Sequence, residues 1–244
     1  MKEELIKNFV SNRDYTWKEK IYDKGKYIGQ FSKDKREGKG IMYYNDGSVN
    51  FGEWKYNYFQ SGKMISPQND IFEGKYSDEK SLTGICHAHD GSIIYGSWVY
   101  GKLFGHATKI FPENHPKGCI KFSGLFNNDL PNGIGMLTTK HDLYYGIWEN
   151  GKQIADYRDI DNSLENVTDR TRQLIIELIC PEPELFSFSK SFTNDYKASK
   201  QDLQNIFYGC EGEFGILIKE TETEKIENTN QLIELIMKKL SELI

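Results

Sequence analysis

The sequence predicts a mainly β protein: an elongated single-sheet solenoid of about six short β-hairpins, followed by a small α+β, helix-rich C-terminal module. Three observations predict it. Glycine recurs two residues before an aromatic at nearly constant spacing, tight-turn dipeptides fall between these sites, and both signals fade near residue 150, where helical periodicity takes over. The expected organisation is an N-terminal helix or extension over 1–19, the hairpin array over 20–157 and the C-terminal module over 158–244.

Composition agrees with this division. Aromatic residues make up 14% of the 244 residues, and 22 Gly stand against 6 Pro, a balance suited to short strands and tight turns. The net charge of -5 argues against nucleic acid as a partner, which would need a clustered basic face. Cys86, Cys119, Cys180 and Cys210 form no CxxC pair and read as reduced thiols, so a cytoplasmic setting is expected. The apolar run at the start is too short for a signal peptide, and no stretch approaches the roughly 20 apolar residues of a membrane span. Abundant Lys, Asn and Ile point to an AT-rich source genome such as a protist's.

Residues 1–12 read as a short helix with Leu5, Phe9 and Val10 apolar, and 17–25 as half a hairpin unit covering the array's edge. The repeat itself is carried by Gly29 and Phe31, Gly52 and Trp54, Gly74 and Tyr76, Gly96 and Trp98, Gly124 and Phe126, and Gly146 and Trp148. The glycines are separated by 23, 22, 22, 28 and 22 residues. Nine and eleven residues after Gly29 come Gly38 and Gly40, and the same offsets from Gly124 give Gly133 and Gly135. Gly62 and Gly84 fall one position off that pattern, and the sixth unit has only Ala155 at the first offset, which predicts irregular hairpins in the second, third and sixth units. Asp46-Gly47, Asp90-Gly91 and Asn150-Gly151 are tight-turn dipeptides. Small residues on alternate positions share one sheet face, where glycine lets a neighbouring ring lie on bare backbone. The longest spacing comes from an insertion over 111–118, expected as a protruding loop.

Tyr27-Ile-Gly29-Gln-Phe31 followed by Gly38-Lys-Gly40 resembles the MORN repeat, as does Phe122-Ser-Gly124-Leu-Phe126 followed by Gly133-Ile-Gly135. The resemblance spans residues 20–155. It implies stacked hairpins that bind other proteins in cytoskeletal assemblies, cilia or membrane–cytoskeleton junctions, and an association with phosphoinositides. It also implies a possible accessory role beside lysine methyltransferase or phosphatidylinositol-phosphate kinase domains, although the C-terminal 90 or so residues carry no recognised motif of either.

In the C-terminal module, Leu164, Val167, Thr171, Leu174 and Leu178 follow helical spacing, and Pro181 and Pro183 end that helix. Phe186, Phe188 and Phe192 read as one strand face, and Ser199 with Asp202 as a capping box opening a short helix. Residues 209–212 read as a turn and 214–219 as a strand. The final helix carries Ile233, Ile236, Leu240 and Leu243 on one face, to be buried on its own chain or paired with another.

No P-loop, nucleophile elbow or HExxH motif is present, so no catalytic residue, cofactor or metal is expected. The Cys86-His87-Ala88-His89 run lacks paired ligand spacing, with Cys119 and His106 as the nearest further donors in type. Glu211 and Glu213 form the one carboxylate pair of note; a pocket joining them to Cys210 and Lys219 would favour an enzyme. The leading expectation is a non-enzymatic scaffold. A partner helix or peptide would lie along the sheet against Phe51, Tyr95 and Tyr145, which sit beside motif glycines and face away from the motif aromatics. The alternative is an adaptor on an acidic lipid surface, contacted by Lys33, Lys35, Arg36 and Lys39.

Overall fold

A computed structural model describes residues 2–11, 17–76, 81–156, 161–180 and 182–242. Helix α1 (Lys2–Val10) precedes seven strands, β1 (Lys18–Tyr22), β2 (Gly25–Ser32), β3 (Lys35–Tyr44), β4 (Val49–Lys55), β5 (Tyr58–Ile65), β6 (Ile71–Tyr76) and β7 (Ser81–His87). Then come β8 (Ile93–Val99), β9 (Lys102–Ile110), β10 (Cys119–Asn127), β11 (Leu130–Thr139), β12 (Leu143–Glu149) and β13 (Lys152–Asp156). Strand order follows sequence order throughout, and the pairings are antiparallel. The chain divides into two compact units, residues 1–94 with 98–101, and residues 95–97 with 102–244.

Within the first unit the motif glycines form one row across the strands. Gly29 pairs with Gly40, Gly40 with Gly52, Gly52 with Gly62, Gly62 with Gly74, and Gly74 with Gly84. Within the second, Ala107 pairs with Gly124, Gly124 with Gly135, and Gly135 with Gly146. The reason is steric. A Cβ added at Gly52 would lie 2.0 Å from the Ser61 carbonyl oxygen, and one at Gly74 2.2 Å from that of Thr83. The displaced Gly62 and Gly84 therefore join the row after all, and the irregular hairpins expected there are corrected. Gly62 reaches the row one residue sooner because the bulge between Glu53 and Trp54 shifts the register by one residue, where that between Gly29 and Phe31 shifts it by two.

The turns lock each hairpin to the one before it. Lys33 with Asp34, Tyr56 with Asn57, and Asn128 with Asp129 all have positive φ, the geometry of the two-residue hairpin turn whose twist matches the strands. The Asn57 side chain accepts the Arg36 N–H at 2.9 Å, and the Asn57 N–H donates to the Arg36 carbonyl at 3.1 Å. Asp129 repeats the arrangement on Leu103, at 2.8 and 3.1 Å. The insertion forms a loop whose Phe111 and His115 rings stack with centroids 4.7 Å apart.

The C-terminal helices are α2 (Leu164–Ile179), α3 (Lys200–Phe214), the short α4 (Glu220–Thr223) and α5 (Thr229–Ser241). The Ser199–Asp202 capping box is present. Val167, Leu174 and Ile175 of α2 meet Ile206, Cys210 and Phe214 of α3 and Leu232, Ile236 and Leu240 of α5 in one core. Two sequence expectations fail here. Residues 209–212, read as a turn, lie inside α3, and 214–219, read as a strand, end that helix at left-handed Gly215 and continue without regular structure. Phe186, Phe188 and Phe192 form no strand either: Pro183–Leu185 is a 3-10 turn, and Phe192 is buried in the helical core. Pro181 and Leu243, expected as part of the helix stop and of the pairing face, lie outside the described residues.

Candidate functional site

The two sheet faces have different chemistry, set by strand alternation. One carries the motif aromatics. In the first unit Tyr27 covers Gly40 and packs edge-on against Phe31 and Trp54, with centroids 5.2 and 5.3 Å apart. Phe59 and Tyr76 extend the series, and Phe72 meets Trp98 at 5.5 Å. The second unit repeats it: Phe122 lies over Gly135 and packs against Phe126 and Trp148. The Trp54 indole N–H donates to the Gly40 carbonyl at 3.1 Å, and that of Trp148 to the Gly135 carbonyl at 3.0 Å. These rings are structural first, since Tyr27 and Phe122 cover bare glycines and the two indoles use their one polar atom on the neighbouring strand.

The ring face is also concave. In the first unit it holds a cavity of about 560 Å³ around Arg36, Trp54, Tyr44 and Phe59. In the second, a cavity of about 350 Å³ lies between the insertion loop and Phe122, Leu137 and Trp148.

The opposite face is filled by the chain's own helices. Over the first unit, Leu5, Ile6, Phe9 and Val10 of α1, with Trp17, pack on Ile41, Val49, Phe51, Ile65 and Ile71. Over the second, α3 crosses β9, β10 and β11 so closely that a Cβ on Gly212 would lie 2.2 Å from the Ser123 carbonyl carbon. Ser123 and Thr108 keep the sheet small beneath it and bond each other at 2.9 Å.

A buried polar network fastens that helix. Gly105, at φ 74, turns the chain so that the His106 N–H reaches Glu177 of α2 at 2.7 Å. The His106 ring lies between Glu177 (Nδ1 to Oε2, 2.6 Å) and Glu213 of α3 (Nε2 to Oε2, 3.1 Å). Burial opposes its charge, but hydrogen bonds to both carboxylates and their attraction outweigh it and raise the imidazole to about 9, so both ring nitrogens donate. Burial likewise opposes the Glu177 charge, yet the bonds from His106 hold that carboxyl below its usual range. Arg170 of α2 donates to Glu213 at 2.6 Å and stacks on Phe214 at 4.5 Å. The Tyr145 hydroxyl donates to the Glu213 carbonyl at 2.7 Å, and burial pushes that phenol up to about 12. Lys121 pairs with Glu211, whose other oxygen accepts the Ile218 N–H at 2.9 Å.

This geometry corrects the expected partner groove. Phe51, Tyr95 and Tyr145 do face away from the motif rings, but each is covered in cis. Phe51 meets Phe9 with centroids 5.4 Å apart, Tyr95 meets Tyr208 of α3 at 5.7 Å, and Tyr145 is held by Glu213. A helix occupies the groove, as its chemistry demands, and that helix belongs to the same chain. Ile236 and Leu240 are buried within the helical core, and Ile233 is buried as well. Of the lipid-contact set, Lys33, Lys35 and Lys39 are exposed, whereas Arg36 folds inward, its guanidinium carbon 4.5 Å over the Trp54 ring.

Glu211 and Glu213 are each consumed by cations, and Cys210 is fully buried with its thiol pushed up by that burial. Among the described residues no group of three or more His, Cys, Asp or Glu is placed to hold a metal, and no helix is long and apolar enough to cross a membrane. His89 bonds Asp70 at 2.7 Å instead. Sequence reading missed Lys121, Arg170 and Glu177. The available signal was Arg170 and Glu177, seven residues apart along the flank of the apolar α2 stripe.

Over 77 residues, 32% of its length, the chain is 25% identical to the acyl carrier protein of Petrotoga mobilis, covering 91% of that protein. Residues 27–49, 95–115 and 122–140 match the MORN repeat model, in the segments that build the glycine row and the ring face: the chain carries MORN repeats.

Proposed function

We propose that this chain is a non-enzymatic scaffold that binds a protein partner on the ring face of its repeats. The observation that carries the reading is the contrast between the faces. The face opposite the rings is covered by α1 and α3, while the ring face keeps a cavity walled by aromatics. MORN repeats are protein- and membrane-interaction repeats, which supports a binding role in general. The finer setting we propose, a cytoskeletal or ciliary assembly in the cytoplasm, rests on the repeat type alone.

The test is a pair of variants on the native chain. Tyr58→Ser removes an aromatic that is 52% exposed at the cavity rim. It should release the copurifying partner while leaving the melting temperature within about 2 °C. Lys33→Gln/Lys35→Gln/Lys39→Gln should leave that partner bound. Full retention by Tyr58→Ser would contradict the assignment. Flotation with phosphatidylserine vesicles at low salt, lost in the triple lysine variant, would favour the lipid-adaptor reading instead.

A second reading concerns the helical module. The likeness to an acyl carrier protein has a length that suits the four helices from Leu164 to Ser241. We propose that this packing serves here to dock on the sheet, not to carry cargo. Intact mass spectrometry of the native protein should show no acyl or prosthetic increment; a stoichiometric increment on the module would overturn this.

A further inference from the structure

Three of the residues that line the cavity on the first unit's ring face carry a buried polar atom without a hydrogen-bond partner: Tyr22 Oη, Arg36 Nε and Asn50 Oδ1. Asn50 is only 7% exposed, on the same strand face as Trp54. A buried unpartnered donor or acceptor is costly, and natural folds rarely tolerate three in one place without a use for them. Arg36 is also held ready: rings of Tyr22, Tyr27 and Trp54 flank the guanidinium at 5.3, 5.7 and 4.5 Å, and one nitrogen is tied to the Asn57 carbonyl at 2.5 Å. Its Nε–H is left without a partner, a charged donor of the kind that carboxylates accept from.

We infer that this cavity binds an acidic peptide segment, an Asp or Glu carboxylate accepting from Arg36 Nε and Tyr22 Oη while a neighbouring peptide N–H donates to Asn50 Oδ1. The inference rests on the ring face being the binding face and names what it binds. The donor–acceptor set favours a peptide, which presents N–H and carboxylate side by side, over an ionised phosphate, whose oxygens only accept and offer nothing to Asn50 Oδ1. Charge agrees: Lys24, Arg36 and Asp23 are the charged residues of the lining, leaving one cation in excess. The volume, about 560 Å³, suits a few side chains walled by Trp54, Phe59 and Tyr76.

The test uses the full chain as bait for phage-displayed random heptapeptides, with the selected peptides synthesised and titrated by fluorescence anisotropy. Enriched peptides should carry an Asp or Glu, and replacing it by its amide should weaken binding about tenfold or more. Tyr22→Phe is the decisive variant, since it removes only a hydroxyl that has no partner in the free protein. It should leave thermal stability equal or higher while weakening the peptide several-fold. Arg36→Gln should abolish acid preference, and Lys39→Gln, outside the cavity, should change nothing. Enriched peptides without an acid, or binding unchanged in Tyr22→Phe and Arg36→Gln, would overturn the inference while leaving a ring-face scaffold intact. Failure to enrich any peptide, together with full partner retention by Tyr58→Ser, would overturn both.

Discussion

Replacing Gly212 with alanine tests how closely α3 lies on the sheet. In an ordinary exposed helix this change stabilises by about 1 kcal/mol, because alanine restricts the unfolded chain and favours the helix. Here the new Cβ would lie 2.2 Å from the Ser123 carbonyl carbon, 2.3 Å from its oxygen and 2.6 Å from the Gly124 nitrogen. All three are backbone atoms, so no rotamer relieves the clash, and the helix must recede by roughly 1 Å to reach van der Waals contact. Receding stretches the bonds of Glu213 to His106 and Tyr145 and of Glu211 to Lys121 together. Overpacking of this kind costs about 1–3 kcal/mol, and weakening buried ion pairs adds to it, so the net loss should be about 2–4 kcal/mol. Urea unfolding followed by tryptophan fluorescence and far-ultraviolet circular dichroism measures it. Gly209→Ala is the internal comparison: its Cβ meets only the Leu174 side chain, Cδ1 at 2.9 Å, Cδ2 at 3.2 Å and Cγ at 3.5 Å, and no backbone, so its cost should be smaller, about 1 kcal/mol. A Gly212→Ala protein as stable as the parent, or less affected than Gly209→Ala, would refute the close docking.

Other consequences follow from the same contacts. Because the folded His106 titrates near 9, above its usual 6.5, its contribution to stability is complete below about pH 6.5 and is lost as pH rises through about 9; Glu177, held low, contributes above its usual range and loses that contribution as pH falls. Urea midpoints from pH 5 to 10 should therefore decline at the alkaline end, and His106→Gln should flatten that decline while lowering the neutral-pH midpoint. Asn57→Ala and Asp129→Ala each leave a strand N–H without its acceptor and should cost about 1 kcal/mol apiece, read as midpoint shifts. Tyr145→Ala, which sequence alone marks as a binding variant, should instead destabilise by about 3 kcal/mol, since it empties a site packed against Gly215 and releases the Glu213 carbonyl.

The array was legible from sequence because nearly every place in its row is held by glycine, Ala107 being the exception. Gly52 and Gly74 face backbone at about 2 Å, so spacing survives where other residues drift, and even the offset Gly62 and Gly84 fall in the row. Turns without glycine, at Lys33-Asp34 and Tyr56-Asn57, gave no such signal, since left-handed non-glycine residues are not announced by type. The candidate site was only half legible. Alternation placed Phe51, Tyr95 and Tyr145 on the correct face, but nothing in a local window says which helix covers them. The same glycines that mark strands misled at Gly209 and Gly212, where absent side chains let a helix approach the sheet and Leu174 instead of forming a turn. The strand reading of 214–219 followed from that error, since a helix ending at Gly215 leaves too few residues to pair. Arg36 was legible as a cation, but its turn inward depends on Asn57 and Trp54, which come from the next hairpin.

The covering of one repeat face by the chain's own helix is tested most directly by a double-mutant cycle on Lys121 and Glu211, on β10 and α3, measured by urea unfolding of the parent, Lys121→Met, Glu211→Gln and the double variant. The pair is buried, with side chains 15% and 6% exposed. A coupling energy of about 1.5–3 kcal/mol is expected if α3 lies on the sheet. Strict additivity, within about 0.5 kcal/mol, would mean that these side chains do not meet and that the face opposite the rings is open.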